Sequence, residues 1–382
     1  MALIIFIVIL SILIIVHEVG HFAVARFFGI RVDEFGLGYP PKAKKLFSWR
    51  GTDFTLNWLP FGGFVKIFGE DGVDQEEQNL SSENSSDIPT GHGQNFLQKD
   101  STPPADSFVA KNRGIQASVL VAGVVMNFVF AWFLISLGFL IGMPSSATES
   151  FPIENAQTTI TAVLPNSPAQ IAGLKPGDVI ISANRGDMLA GETARDVASF
   201  IAEGEGTMVF SILRGGETES VSINPEFNND LDKPVIGVAM DEIGIAKLPV
   251  HKAVWQGLKT SGELTIYTAQ ALWGLISDAL RGNPSLAGLA GPVGLVGIVG
   301  DASTLGFAYL ISLTALISIN LVLVNLLPFP ALDGGRLLFV LIESVSRKKI
   351  PPKIGNVLNN LGFLILILLM VLVTVHDIRN IL

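Results

Sequence analysis

Within an apolar N-terminal run, Leu13 to Val24 reads LIIVHEVGHFAV and holds three ionisable side chains, His17, Glu18 and His21. A charged side chain at bilayer depth costs about 3 kcal/mol on insertion scales, so such groups mark functional sites with a partner. Residues four apart share one helical face, so His17 and His21 can both turn a ring nitrogen toward one cation. Glu18 lies about 100° round from His17 and about 60° from His21 at 3.6 residues per turn, within reach of water on that cation. This is the H-E-x-x-H spacing of a zinc site, with the glutamate as general base. A surface helix can carry the same residues for solubility alone. In a membrane span that alternative leaves the desolvation cost unmet. One zinc ion is therefore the expected cofactor. Because catalytic zinc generally takes three protein ligands plus water, a third ligand must come from elsewhere in the chain.

The run NLLPFPALDGGR, Asn325 to Arg336, offers one. Pro328 and Pro330 end a helix and Gly334-Gly335 loosens the next stretch of chain, so Asp333 is presented from irregular backbone at or near membrane depth. The competing role for Asp333 is an N-cap of a helix over 334–344, which can coexist with ligation.

Composition indicates the scaffold that holds these groups. Of 382 residues, 49% are hydrophobic and 15% charged, and the mean hydropathy is +0.51, too apolar for a soluble chain of this length. Four stretches reach the roughly 17–25 residues of a spanning helix: 3–28, 117–141, 305–327 and 358–375. The first lacks a basic leader and a small-x-small cleavage site, and reads as a retained span. Lys and Arg number ten between Phe22 and Gln116 and five between Pro328 and Val357, against nine over the much longer Gly142 to Thr304. By the positive-inside rule the first two connections are cytoplasmic and the long region lies outside, which puts both chain ends outside. His17 and Asp333 then sit toward the same, cytoplasmic side. The net charge of -9 excludes the basic surface that nucleic-acid binding needs. With no cysteine there are no thiolate ligands or disulfides.

After the first span, Phe54, Leu56 and Trp58 alternate with Asp53, Thr55 and Asn57, the period of a half-buried strand. Pro60 and Gly62-Gly63 suggest a turn into a second short strand over 64–68, which makes a β-hairpin beside the membrane. The acidic, polar stretch 69–107 reads as a disordered cytoplasmic loop, with His92 a solvated side chain within it. Residues 156–245 alternate strand and helix patterns as a compact α+β domain, and its AGLKPGDVI run resembles the PDZ signature. Such domains bind an extended peptide, often a C-terminus, as an added strand. Residues 246–304 read as a juxtamembrane helix, with His251 interfacial, followed by a Gly-rich re-entrant or broken element. The expected fold is thus a polytopic α-helical membrane protein of about four transmembrane helices, divided as 1–143, 156–245, 246–304 and 305–382. It carries one membrane-associated β-hairpin and one extracytoplasmic PDZ-like domain.

HEVGH in the first span, N-x-x-P-x-P-x-L-D-G near the end of the third, PFGGFVK, AGVVMNF with Asn127, and GPVG together resemble the site-2 protease family of intramembrane zinc metalloproteases, and its bacterial regulator-of-sigma-E branch in particular. The resemblance covers nearly the whole chain. It implies that His17, His21 and Asp333 hold zinc, that Glu18 activates water, and that Asn325 positions the substrate or its oxyanion. It also implies a multi-pass protein of the bacterial inner membrane that cuts single-pass membrane proteins within the lipid bilayer, such as anti-sigma factors or remnant signal peptides. Well-known members have two PDZ domains where this chain shows one, and the acidic 69–107 insertion has no counterpart in the matched motifs. Two other classes fit parts of the pattern: a membrane metal-ion transporter, since His, Glu and Asp also line ion pathways, and a PDZ scaffold or chaperone with a non-catalytic metal site.

Overall fold

The computed structural model describes residues 1–70, 103–146, 151–189, 193–204, 206–228, 231–282, 290–348 and 350–381. Most of the acidic stretch expected as a disordered loop, His92 included, lies outside these residues. The chain divides into two compact units, the first made of Met1–Phe133, Lys259–Gly300 and Thr314–Leu382, the second of Leu134–Leu258 and Asp301–Leu313.

Among the described residues, four helices are long and apolar enough to cross a membrane: α1 (Ala2–Phe27), α2 (Arg113–Ile141), α7 (Phe307–Leu326), and the 353–379 stretch of α9 (Pro352–Ile381). They fall on the four stretches read from hydropathy. Helix α1 is apolar all round, yet only Ile9, Leu13, His17, Gly20, His21 and Ala25 are buried, one stripe along its length. Leu3, Ile4, Val8 and Ile12 stay exposed, as suits a helix whose other faces meet lipid.

The first unit also holds β1 (Val32–Trp49) and β2 (Thr52–Ile67). The expected hairpin, 53–58 against 64–68 through the Pro60–Gly63 turn, is corrected here. Residues 53–56 and 63–66 are both extended but do not pair with each other, because residues 34–37 lie between them and pair with both. The tight reversal falls instead at Arg50-Gly51, both at positive φ, where Trp49 pairs with Thr52. Gly36 lets this happen: a Cβ there would collide with the Phe64 ring. The glycines and prolines of EFGLGYPP mask this central segment in the sequence, since they count as breakers in any strand pattern. Phe22 of α1 anchors the sheet through ring contacts with Phe35, Phe54 and Trp49 at 5.7, 5.8 and 6.3 Å.

In the second unit a seven-stranded sheet is built from β3 (Met143–Ser146), β4 (Glu154–Val163), β5 (Val179–Arg185), β6 (Met188–Leu189), β7 (Met208–Arg214), β8 (Glu217–Ile223) and β11 (Val238–Ala246). The spatial order is β3-β11-β4-β5-β7-β8, with β6 beside β5. A small pair, β9 (Glu226–Asn228) and β10 (Lys233–Val235), stands apart. Two short helices, α3 (Pro168–Ile171) and α4 (Ala194–Ala202), add to the unit's core, the latter opened by a Thr193–Asp196 capping box. Ile160, Leu174, Ile180, Val197, Met208 and Phe210 are among its core residues. The Pro-Gly-Asp turn has a plain cause. Asp178 is buried, accepts from the Lys175 backbone at 2.8 Å and takes two hydrogen bonds from Arg214 at 2.7 and 2.6 Å. These bonds to Asp178 hold the Arg214 guanidinium above its ordinary pKa.

Between the last strand and α7 run α5 (Val250–Leu280), a helix where one was expected, and α6 (Pro292–Leu305). The run expected as re-entrant or broken is, from Pro292, a 14-residue helix. Proline suits its first position, and the backbone N–H groups of Gly291 and Gly294 donate to Asp377 of α9 at 3.2 and 2.8 Å. After α7 comes α8 (Asp333–Ser346).

Candidate metal centre

His17 and His21 point from the buried stripe of α1 toward the start of α8. The Nε2 atoms of the two rings lie 3.2 Å apart, and Oδ2 of Asp333 is 2.9 Å from that of His17 and 3.4 Å from that of His21. These are the only three described metal-type ligands so clustered. Ligand atoms around a tetrahedral zinc with bonds of about 2.0–2.1 Å stand about 3.3–3.4 Å apart, so the triangle has nearly the size that the ion requires. Proton placement agrees for His21. Its Nδ1 lies 2.8 Å from the carbonyl oxygen of Val119, which can only accept, so Nδ1 carries a hydrogen and, in the neutral ring that binds a metal, Nε2 keeps its lone pair. Lone pairs from an imidazole and a carboxylate thus face a common point. A cation there relieves their repulsion.

Local packing explains how α1 and α2 approach so closely. A Cβ on Gly20 would collide with the Ala122 carbonyl, and one on Gly123 with both histidine rings. Asp333 is placed by the broken chain after α7. Ala331 adopts φ of 76°, its N–H is held by Asn359 of α9 at 3.2 Å, and Gly334 and Gly335 press on the Leu327 and Phe329 carbonyls where any side chain would collide. The N-cap alternative for Asp333 is overturned. Leu332 occupies the cap position, Asp333 is the first residue of the helix, and its carboxylate turns to the histidines.

Glu18 and Asn325 open onto the same cavity as the three ligands, about 710 Å³ in volume. The 62–67 segment of β2 forms another wall, and Gly63 lies against the Glu18 side chain. Every site residue expected from the sequence is therefore gathered in one place. Three others were not expected there. Glu70 and Arg336 line the cavity and pair at 2.6 Å, and Asn127 stands beside His17. A polar residue in the second apolar span was the available signal for Asn127. Nothing local marked Glu70, since an acidic residue at the edge of an acidic stretch looks solvated.

The family model for peptidase family M50 matches residues 5–369. The chain belongs to this peptidase family. Two relatives, both named zinc metalloprotease RasP, are similar along nearly their whole lengths. That of Geobacillus kaustophilus is 31% identical over 98% of this chain and 97% of the relative, and that of Oceanobacillus iheyensis 28% over 98% of each. Membership bears out the expected kinship with the site-2 protease metalloproteases, and this M50 chain is a zinc metalloprotease. The transporter and scaffold readings give way to it. Among solved structures, the second domain of the Listeria protein Lin2157 covers 24% of this chain and 88% of its own at 20% identity, with a TM-score of 0.20.

Proposed function

We propose that this protein is an intramembrane endopeptidase that holds one zinc ion on His17, His21 and Asp333 and cuts single-pass membrane proteins within the bilayer of a bacterial inner membrane. The observation that carries the reading is the shared cavity. The H-E-x-x-H face, Asp333, Asn325 and an extended strand segment all border one space, in a chain whose described residues include four helices apt to span a membrane.

When bound, zinc supplies Lewis acidity, lowering the pKa of water toward about 7 and polarising the scissile carbonyl. Glu18 accepts the proton from the attacking water and returns it to the amine as the carbon–nitrogen bond breaks. Asn325 offers an amide N–H to the developing oxyanion from the end of α7. A helical substrate hides its amides in its own hydrogen bonds, so it must unwind before attack. Residues 63–66 pair on one side with 34–37, and the 62–67 segment borders the cavity, where an extended substrate segment can add as a further strand. That pairing presents the scissile amide to Glu18 and keeps it from refolding.

The second unit takes the PDZ-like, extracytoplasmic role in this reading. Its α4 and the Ile236–Met240 stretch border a 240 Å³ apolar cavity with Leu231 and Pro234, which suits an extended peptide or a protein C-terminus. Bound or excluded outer segments would then decide which membrane proteins reach the cleft, trimmed anti-sigma factors or remnant signal peptides among them.

The test uses purified full-length protein in liposomes with a single-pass model substrate. Cleavage within the substrate's membrane segment, abolished by a zinc chelator and by Glu18→Gln, is expected. Cleavage only outside that segment, or undiminished in Glu18→Gln, overturns the reading.

A further inference from the structure

We propose that Asn127 is the positioning residue for His17: its amide oxygen accepts a hydrogen bond from Nδ1–H of that ring, leaving the Nε2 lone pair turned to His21 and Asp333. The proposal rests on the ligand set given above. Asn127 is completely buried on α2, and the amide end placed 3.3 Å from Nδ1 of His17 is Nδ2. From α7, the buried Ser318 hydroxyl donates to the Asn127 backbone carbonyl at 2.9 Å and fixes the residue from the other side.

The two ends of an amide have nearly the same shape, so its orientation is decided by the hydrogen-bond network. With the NH2 turned to His17, Nδ1 must accept, and the proton of the neutral ring is driven onto Nε2. That proton would point at the metal position. In that orientation Oδ1 is also buried without a partner among the described residues. With the oxygen turned to His17, Oδ1 gains a donor and Nε2 is freed. The NH2 takes the vacated place, so one amide group stays unpaired either way, and the histidine decides between the two. His21 shows the matching arrangement, since its Nδ1–H is already committed to Val119. Metal-ligating histidines nearly always donate their second N–H to such an acceptor, which sets both tautomer and ring plane.

Full-length protein in detergent, titrated with zinc against a competing chelator, tests this through affinity rather than turnover. Asn127→Leu keeps the bulk and loses the acceptor, and is expected to weaken zinc binding about 10–100-fold. Asn127→Asp places an oxygen at both positions and has no amide donor. It should bind zinc as tightly as the wild type or more so, with helix content unchanged. Undiminished affinity in a folded Asn127→Leu, or a loss of about tenfold or more in Asn127→Asp, overturns the proposal. If Asn127→Leu does not fold, the aspartate variant decides alone. A His17→Ala control separates the two levels. Zinc retained at full affinity in that control overturns the ligand set, and this proposal with it, whereas zinc lost in His17→Ala but unaffected by Asn127→Leu overturns the role of Asn127 only.

Discussion

At the residue scale, Glu18 and Asp333, two of the carboxylates of the cleft, take different places. Asp333 sits within hydrogen-bond distance of a histidine Nε2, whereas Glu18 faces the cavity and the Gly63 backbone. Glu18→Gln should therefore keep zinc and lose turnover about 10²–10⁴-fold, the usual cost of removing a general base. Zinc content and initial rate measured on one preparation check it. Asp333→Ser behaves differently. Because Leu332 already holds the cap position, serine at 333 costs the helix little, but it is a poor zinc ligand. Zinc and activity should fall together while the protein stays folded. Stoichiometric zinc in that variant would send the search for the third ligand elsewhere.

At the element scale, the metal centre depends on α1 and α2 touching at glycine. Gly123→Ala should displace both imidazoles and weaken zinc binding at least about tenfold, comparable to loss of an outer-shell partner. Gly262→Ala on α5 is the control, since a Cβ there meets nothing and alanine favours a helix by about 1 kcal/mol. Equal zinc affinities in the two variants would show that the close approach is dispensable. In the second unit, Asp178→Asn leaves Arg214 half-paired. A destabilisation of about 2–3 kcal/mol is expected, below the 3–5 kcal/mol of a wholly buried pair because Arg214 is partly exposed. Faster hydrogen exchange confined to β5 and β7, with zinc uptake unchanged, is the readout.

At the scale of the whole molecule, the two units have separate cores, and in the larger sheet β4 and β11 run side by side, with Glu154 paired to Ile245. A deletion of 155–244 can thus be closed by a short turn. It should leave zinc affinity within about threefold of wild type, since no outer-shell partner of the metal is touched, and should relax selection against substrates with bulky outer domains. If such substrates are still refused, selection resides elsewhere. Much of this organisation is readable from the chain itself. HEVGH, the four spans and the Pro-Gly-Asp turn each depend on residues a few positions apart, and helical or strand periodicity alone specifies their faces. The pairing of His17 with Asp333 crosses 316 positions, and LDGG marked the candidate without placing it. Other features left no local trace. Residues 34–37 enter between two strand segments because Gly36 gives room to Phe64, Gly20 and Gly123 bring two helices into contact, and Asp377 meets an amide end far back in the chain. Each of these depends on which distant backbones can approach one another, and that is settled by packing in three dimensions rather than by any spacing along the chain.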